Sequence, residues 1–311
     1  MIAVLFPGQG SQVAGMGCDL YDDFAIARDT FDEAGDVLGY DLSGVCRVGS
    51  PEQLARTEVT QPALLTHSVA VLRLLRDGGF AFDAALGHSL GEYSALVATG
   101  ALAFGDALAL VKARGEAMAA AAARRPGGMV AVLGLDSTEV DELCAGLDAV
   151  WPANYNCPGQ AVVSCAQRSL SDFEEAARAA GARRVVRLAV SGAFHCPLVA
   201  PAAVALRGPL AAIAWAAPAP AFFSTCSTEF EDGGFPALLE RQLVSPVRFE
   251  QSIRRLSGEG YNAYLEVGPG AVLTGLVKRI DGSAATATAG DSFTLTTALA
   301  GGWATTGEAD R

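Results

Sequence analysis

Histidine is scarce in this chain: three residues in 311, His67, His88 and His195. Any chemistry that needs an imidazole base must draw on one of them. The cysteines are informative for what they do not form. Seven thiols, at 18, 46, 144, 157, 165, 196 and 226, make no C-x-x-C pair and no metal spacing with the histidines. Neither a zinc site nor a dithiol redox centre is expected, and an odd, scattered set fits reduced thiols in cytosol. Positive charge is also short, with 22 Lys and Arg against 34 Asp and Glu and a net charge of −12. That balance argues against nucleic acid and against an anionic membrane as partners. No apolar run reaches the length of a membrane span, and no basic segment precedes an apolar one at the start. Met1 leads straight into Ile2-Ala3-Val4-Leu5-Phe6, too short for a signal peptide and suited to a central strand. A cytoplasmic protein is expected. Internal repeats are absent.

What is present is apolar. Hydrophobic residues make up 51% of the chain, enough for a sizeable core in two domains or in one large domain with an insertion. The first strand ends at Pro7-Gly8-Gln9-Gly10-Ser11-Gln12, a glycine-rich loop. Helical patterns run to about residue 76, a short strand covers Phe80–Leu86, and a long helix follows from about Phe104 to Ala123. Strands alternating with helices imply a mostly parallel sheet covered on both faces. Residues 127–191 differ. Strands at Met129–Leu135, Val150–Asn154, Ala161–Cys165 and Val185–Val190 alternate with helices at Ser137–Ala145 and Ser171–Ala180. The order β-α-β-β-α-β is the ferredoxin-like arrangement. Arg124-Arg125-Pro126-Gly127-Gly128 is the linker leading in. The expected fold is α/β, with a small domain at 127–191 inserted into a large one formed by 1–126 and 192–311. The tail from Asp281 is expected to hold one strand, Phe293–Leu299, and then to fray.

The stretch richest in chemistry is Gly87-His88-Ser89-Leu90-Gly91-Glu92. It is a G-x-S-x-G pentad between a strand and a helix, where a serine sits on a tight elbow with its hydroxyl exposed. The glycines let backbone approach closely, and the helix start aims free N–H groups at a developing oxyanion. A serine nucleophile needs a base. His67 lies mid-helix among apolar residues and reads as a satisfied core or boundary histidine. His88 adjoins Ser89 in sequence, so the two side chains point apart, and it reads as a wall of the site. His195, in Ser191-Gly192-Ala193-Phe194-His195-Cys196-Pro197, lies at the seam between the two domains, where sites form. It is either the base or a surface-loop histidine. Cys196 lacks an activating helix terminus and reads as packing. Arg114 follows Leu110 by four and precedes Met118 by four, on the apolar face of its helix. A guanidinium there is costly to bury without a carboxylate. Either it snorkels or pairs internally, or the carboxylate arrives with the substrate.

These residues resemble the malonyl-CoA:acyl carrier protein acyltransferases of fatty-acid synthesis and the stand-alone acyltransferases of polyketide synthases. The match spans Phe6–Gln12, Gln61-Pro62-Ala63, Gly87–Glu92, Arg114-Gly115, Asn154–Gln160, Gly192–His195, Gln242 with Pro246–Phe249, Glu266–Gly270 and Leu273–Leu276. The resemblance implies an α/β-hydrolase-like large domain carrying the ferredoxin-like insertion. It implies Ser89 as nucleophile, His195 as base, and the N–H groups of Gln9 and Leu90 as oxyanion hole. Arg114 would bind the malonyl carboxylate, Phe194 would go with malonyl selection, and Gln242 would orient His195 where many hydrolases use an acid. Malonyl-CoA and an acyl carrier protein are the implied partners, with no cofactor or metal. Cys157 and Cys196 stand where many relatives have serine. Two rivals exist: an editing acyl-hydrolase acting on carrier proteins, and a catalytically silent docking protein. Carrier proteins are typically acidic, as is this chain, so docking needs a local basic patch within about one Debye length, ~8 Å. Arg183, Arg184 and Arg187 form one candidate cluster, and Lys278 and Arg279 another. Alternatively both are solvated surface charge.

Overall fold

The computed structural model describes residues 1–301. Eleven strands fall in two sheets. In chain order they are β1 (Ile2–Phe6), β2 (Ala84–Gly87), β3 (Gly127–Leu133), β4 (Val150–Cys157), β5 (Gln160–Ala166), β6 (Arg184–Arg187), β7 (Ala221–Ser224), β8 (Glu229–Glu231), β9 (Val247–Arg248), β10 (Ala263–Val267) and β11 (Ala285–Ala289). The larger sheet has the order β11-β10-β1-β2-β7-β8 and is parallel except where β8 returns against β7. Both its faces are buried, which explains the unbroken apolar run of β1. Val4 and Phe6 join one core cluster and Ala3 and Leu5 the other. Among the described residues no helix is long and apolar enough to cross a membrane.

The smaller sheet has the order β6-β3-β5-β4-β9. Its first four strands pair antiparallel, and β9 joins β4 in parallel from a distant part of the chain. Alternation along β3 shows how the two units meet. Val130 and Val132 pack with Val140 and Phe173 of the helices Ser137–Ala145 and Leu170–Ala179. Met129 belongs instead to the main core, as do Ala153 and Val162. One face of the small sheet is thus covered by its own helices, and the other lies on the large unit.

Several expectations differ in detail. The helix Phe104–Arg124 runs straight up to the insertion, and β3 already starts at Gly127, so the linker is two residues long. β2 begins only at Ala84, because β1 offers its first partner at Ala3. β6 ends at Arg187, after which the chain leaves the ladder. The strand expected at Phe293–Leu299 is wrong. Ser292–Leu299 is a helix, and the strand lies upstream at β11. Asp291 forms a capping box with Thr294 and starts the helix there. Leu295 and Ala298, three apart, face inward, while Phe293 is 78% exposed. The expected fraying of the last residues lies outside the described residues.

Candidate active site

Ser89 stands between β2 and the helix Gly91–Ala98 with φ +53°. This is the left-handed region, sparsely used by residues with a Cβ, and it persists only where the surroundings enforce it. They do so through backbone contact. A Cβ on Gly87 would lie 1.9 Å from the carbonyl carbon of Gly91, and one on Gly91 would lie 2.0 Å from the Phe6 oxygen. One on Gly8 would lie 2.4 Å from the His88 oxygen. The helix start is therefore pressed onto the carboxyl ends of β1 and β2. Beside Ser89, the backbone N–H groups of Gln9 and Leu90 donate to no backbone acceptor among the described residues, and both residues line the same cavity.

His195 also sits at positive φ, +56°. Its Nε2 is 2.7 Å from Ser89 Oγ. Its Nδ1 is 3.0 Å from the Gln242 carbonyl oxygen and 3.1 Å from that of Ser245. Carbonyls only accept, so Nδ1 carries the proton and the lone pair of Nε2 is free for the serine hydroxyl to donate to. Burial, followed by repulsion from Arg114, pulls the imidazole's pKa down to about 3. His195 is thus a neutral imidazole in hydrogen-bonding contact with Ser89. Gln242 touches it through the main chain only. The side-chain amide turns away, donating to the Ser89 carbonyl and to Glu92 Oε2 at 2.8 Å each.

Arg114 is 1% exposed. Its NH1 donates to Gln61 Oε1 at 2.8 Å, and its NH2 to Ser89 Oγ and Gln242 Oε1 at 3.2 Å each. Its Nε has no partner, and its guanidinium lies 5.7 Å from the centre of the Tyr93 ring. Among the described residues no carboxylate is within ion-pairing distance of it. Arg114 is thus a buried cation whose hydrogen bonds go only to neutral groups, Ser89 among them, which leaves its charge open to an incoming anion.

The cavity over Ser89 measures about 90 Å³. Gln9, His88, Arg114, Asn154, Phe194 and His195 bring polar groups and a ring to it, and Met118, Met129, Leu188 and Val190 are apolar. It is smaller than the several hundred Å³ of drug-sized pockets, a size that suits an acyl group. His88 is held by Asn156, its Nε2 donating to the amide oxygen at 3.0 Å, and its ring lines the cavity. His67 is fully buried, as a core histidine would be, with the Gly290 backbone as its polar neighbour. Burial keeps it neutral, with a pKa of about 4. Burial pushes the Cys196 thiol up to about 11, which suits packing. The sequence reading assigned no role to Glu92, Gln61, Asn154 or Asn156, although all four lie in quoted motifs. The signal available was a buried-type position occupied by a polar residue.

Among the surface cations, Arg187 is paired with Glu174. Arg183, Arg184, Lys278 and Arg279 are exposed and have no carboxylate partner among the described residues. Arg279 donates to Gln160 Oε1 at 2.7 Å and to the Pro158 oxygen at 3.1 Å. Arg183 packs beside Gly134, whose N–H bonds the Gly159 oxygen at 2.8 Å. Arg279 thus contacts the hairpin turn between β4 and β5, and Arg183 packs on Gly134, which bonds to the same turn.

A family model described as an acyl transferase domain matches residues 4–292. The malonyl CoA-acyl carrier protein transacylase of Bacillus subtilis strain 168 is 42% identical over 304 residues, 96% of each chain. The Escherichia coli K12 protein of the same name is 42% identical over 284 residues, 89% of this chain and 92% of its own. Among solved structures, a malonyl-transacylase in complex with a type II polyketide synthase acyl-carrier protein superposes with a TM-score of 0.94 at 40% identity. It covers 96% of this chain and 99% of that one. The acyl-carrier-protein S-malonyltransferase of Burkholderia pseudomallei gives 0.92 at 39% identity, over 96% and 99%. With an elbow serine, a poised histidine and a match along nearly its whole length, the chain belongs to the acyl transferase domain family.

Proposed function

We propose that this protein transfers a malonyl group from malonyl-CoA to the phosphopantetheine thiol of an acyl carrier protein, through an ester on Ser89. One observation carries the choice of acyl group: Arg114 is buried, lacks a carboxylate, and donates to Ser89 Oγ. An editing hydrolase needs the serine and the histidine but not that cation. A silent docking protein needs none of the three. The relatives named above, over nearly full length, support the same reading.

The reaction follows from the donors and acceptors in place. Ser89 gives its proton to His195 Nε2 as its oxygen attacks the thioester carbonyl. The oxyanion is met by the N–H groups of Gln9 and Leu90, each worth roughly 3 kcal/mol in comparable sites. The imidazolium returns its proton to the departing coenzyme A sulfur, leaving malonyl-serine. The carrier thiol then attacks that ester, with His195 again the base, and Ser89 is released with its proton. Substrate binding helps the base. A malonyl carboxylate on Arg114 offsets the positive charge that holds the pKa of His195 down, so proton uptake becomes easier once the correct acyl group is bound. Phe194 closes the cavity beside His195, and His88 bounds its other side.

In this reading the large unit, 1–126 and 192–311, is an α/β-hydrolase-like domain, and 127–191 is a ferredoxin-like insertion. Support comes from the small sheet, where the insertion's four strands lie in the order fourth, first, third, second. Arg183, Arg184, Lys278 and Arg279 are the candidate contacts for the acidic carrier, with Arg187 reduced by its bond to Glu174. The test is intact-protein and peptide mass after incubation with malonyl-CoA and no carrier. A malonyl ester on Ser89, lost in Ser89→Ala, is expected. An ester or thioester elsewhere, such as on Cys196, or, once a carrier protein is added, release of free malonate in place of carrier loading, overturns the proposal.

A further inference from the structure

Glu92 is 0% exposed, in the first turn of the elbow helix, and the mechanism above leaves it unused. Its Oε1 accepts from the Thr225 N–H at 2.6 Å and from the hydroxyls of Ser224 and Thr225 at 2.9 Å each. Its Oε2 accepts from Gln242 Nε2 at 2.8 Å. Burial raises the pKa of this carboxyl, and the ring of donors from Ser224, Thr225 and Gln242 opposes that shift and favours the anion. Gln242 occupies the gap between this anion and Arg114. Its Nε2 faces two groups that only accept, Glu92 Oε2 and the Ser89 carbonyl, so its Oε1 must face the other way, toward Arg114 NH2. The amide dipole then lies with its positive end at the buried anion and its negative end at the buried cation. Arg114 is thereby balanced without an ion pair, and its charge stays available to an incoming carboxylate.

We propose that Glu92 is a positioning residue that acts through the side chain of Gln242 to orient Arg114, and that this relay sets the preference for carboxylated acyl groups. The inference rests on the reading that Arg114 grips the malonyl carboxylate. It separates two roles of Gln242: the main-chain oxygen holds His195, and the side-chain amide serves Arg114 and also braces the Ser89 carbonyl. Gln242→Leu keeps the first and removes the second; the bond to Ser89 is lost for both acyl donors alike, so the ratio between them reports Arg114.

The test compares loading of Ser89 by malonyl-CoA and acetyl-CoA, read by intact mass over a concentration series. Gln242→Leu is expected to lower the malonyl-to-acetyl ratio of kcat/KM about tenfold or more, the loss of a hydrogen bond to a charged group, mainly through KM for malonyl-CoA. Glu92→Gln should lower it similarly, and the double variant should fall no further, because the two residues form one path. Gln242→Glu gives Arg114 an internal carboxylate and should reduce malonyl loading more than Gln242→Leu does. A ratio in Gln242→Leu within threefold of the parent, or effects of the two single changes that multiply, overturns the relay. Should Glu92→Gln not fold, the Gln242 variants decide alone. Arg114→Ala tells the relay from its premise. If it keeps the parent's ratio, the carboxylate reading itself fails. If it loses the ratio while the Gln242 and Glu92 variants keep it, only the relay fails.

Discussion

An ordinary histidine base would show itself in the pH profile of this enzyme, and His195 should not. At its usual pKa of about 6.5 an imidazole is half neutral at pH 6.5 and about 3% neutral at pH 5, so kcat/KM would fall about 30-fold between pH 8 and pH 5. In the fold, burial and the neighbouring Arg114 bring His195 to about 3. At pH 5 it is then about 99% neutral, and the fall should be negligible. The assay is the rate of Ser89 acylation from pH 8 to pH 5, with circular dichroism confirming that the chain stays folded. Acetyl-CoA serves as the acyl donor because it has no carboxyl of its own to titrate. The profile of kcat/KM reports the free enzyme, and the profile of kcat the complex. With malonyl-CoA the acid limb of kcat should therefore lie above that of kcat/KM, since the bound carboxylate offsets Arg114. His195→Ala should abolish most loading at every pH. A 30-fold loss by pH 5 in a folded enzyme would refute the claim that His195 is held neutral by its surroundings.

The same shift governs stability. The folded pKa of His195 lies below its unfolded value, so between about 6.5 and 3 the unfolded chain binds the extra proton. His67, at about 4, acts in the same sense. Their joint contribution is intact above pH 6.5 and declines as pH falls, which urea unfolding of the parent and of His67→Gln at pH 7 and pH 5 can measure. A pH-dependent difference of zero between the two would count against it. Gly91→Ala drives a Cβ against the Phe6 oxygen and should cost about 1–3 kcal/mol as well as loading of Ser89; an unchanged Tm with full loading would show that the elbow tolerates the group. Arg184→Glu and Arg279→Glu should raise the apparent KM for the carrier protein and leave loading from malonyl-CoA unchanged, with added salt weakening the parent more than the variants. Carrier kinetics that ignore both reversals place the docking face elsewhere.

Much of this was determined by the sequence alone, wherever the controlling interaction is local. Apolar runs bounded by glycine and proline marked β1 and the order of elements in 127–191. The spacing of Gly87, Ser89 and Gly91 marked the elbow, because a strand-to-helix turn is built from neighbours in the chain. Helical periodicity put Arg114 on a buried face. Near the C-terminus the local signal misled. A strand was expected at Phe293–Leu299, where a cap at Asp291 starts a helix. What the tertiary structure decided was every relation across long separations. His195 meets Ser89 across 106 positions of chain, and Gln242 meets Glu92 across 150. Gln242 was singled out by resemblance, but only the fold showed that its carbonyl, not its amide, holds the histidine. That no carboxylate among the described residues pairs with Arg114 is likewise a fact of packing, which a chain with 34 acidic residues does not specify in its sequence. The low pKa of His195 follows from exclusion of water and a nearby cation, neither of which a residue's sequence neighbours specify.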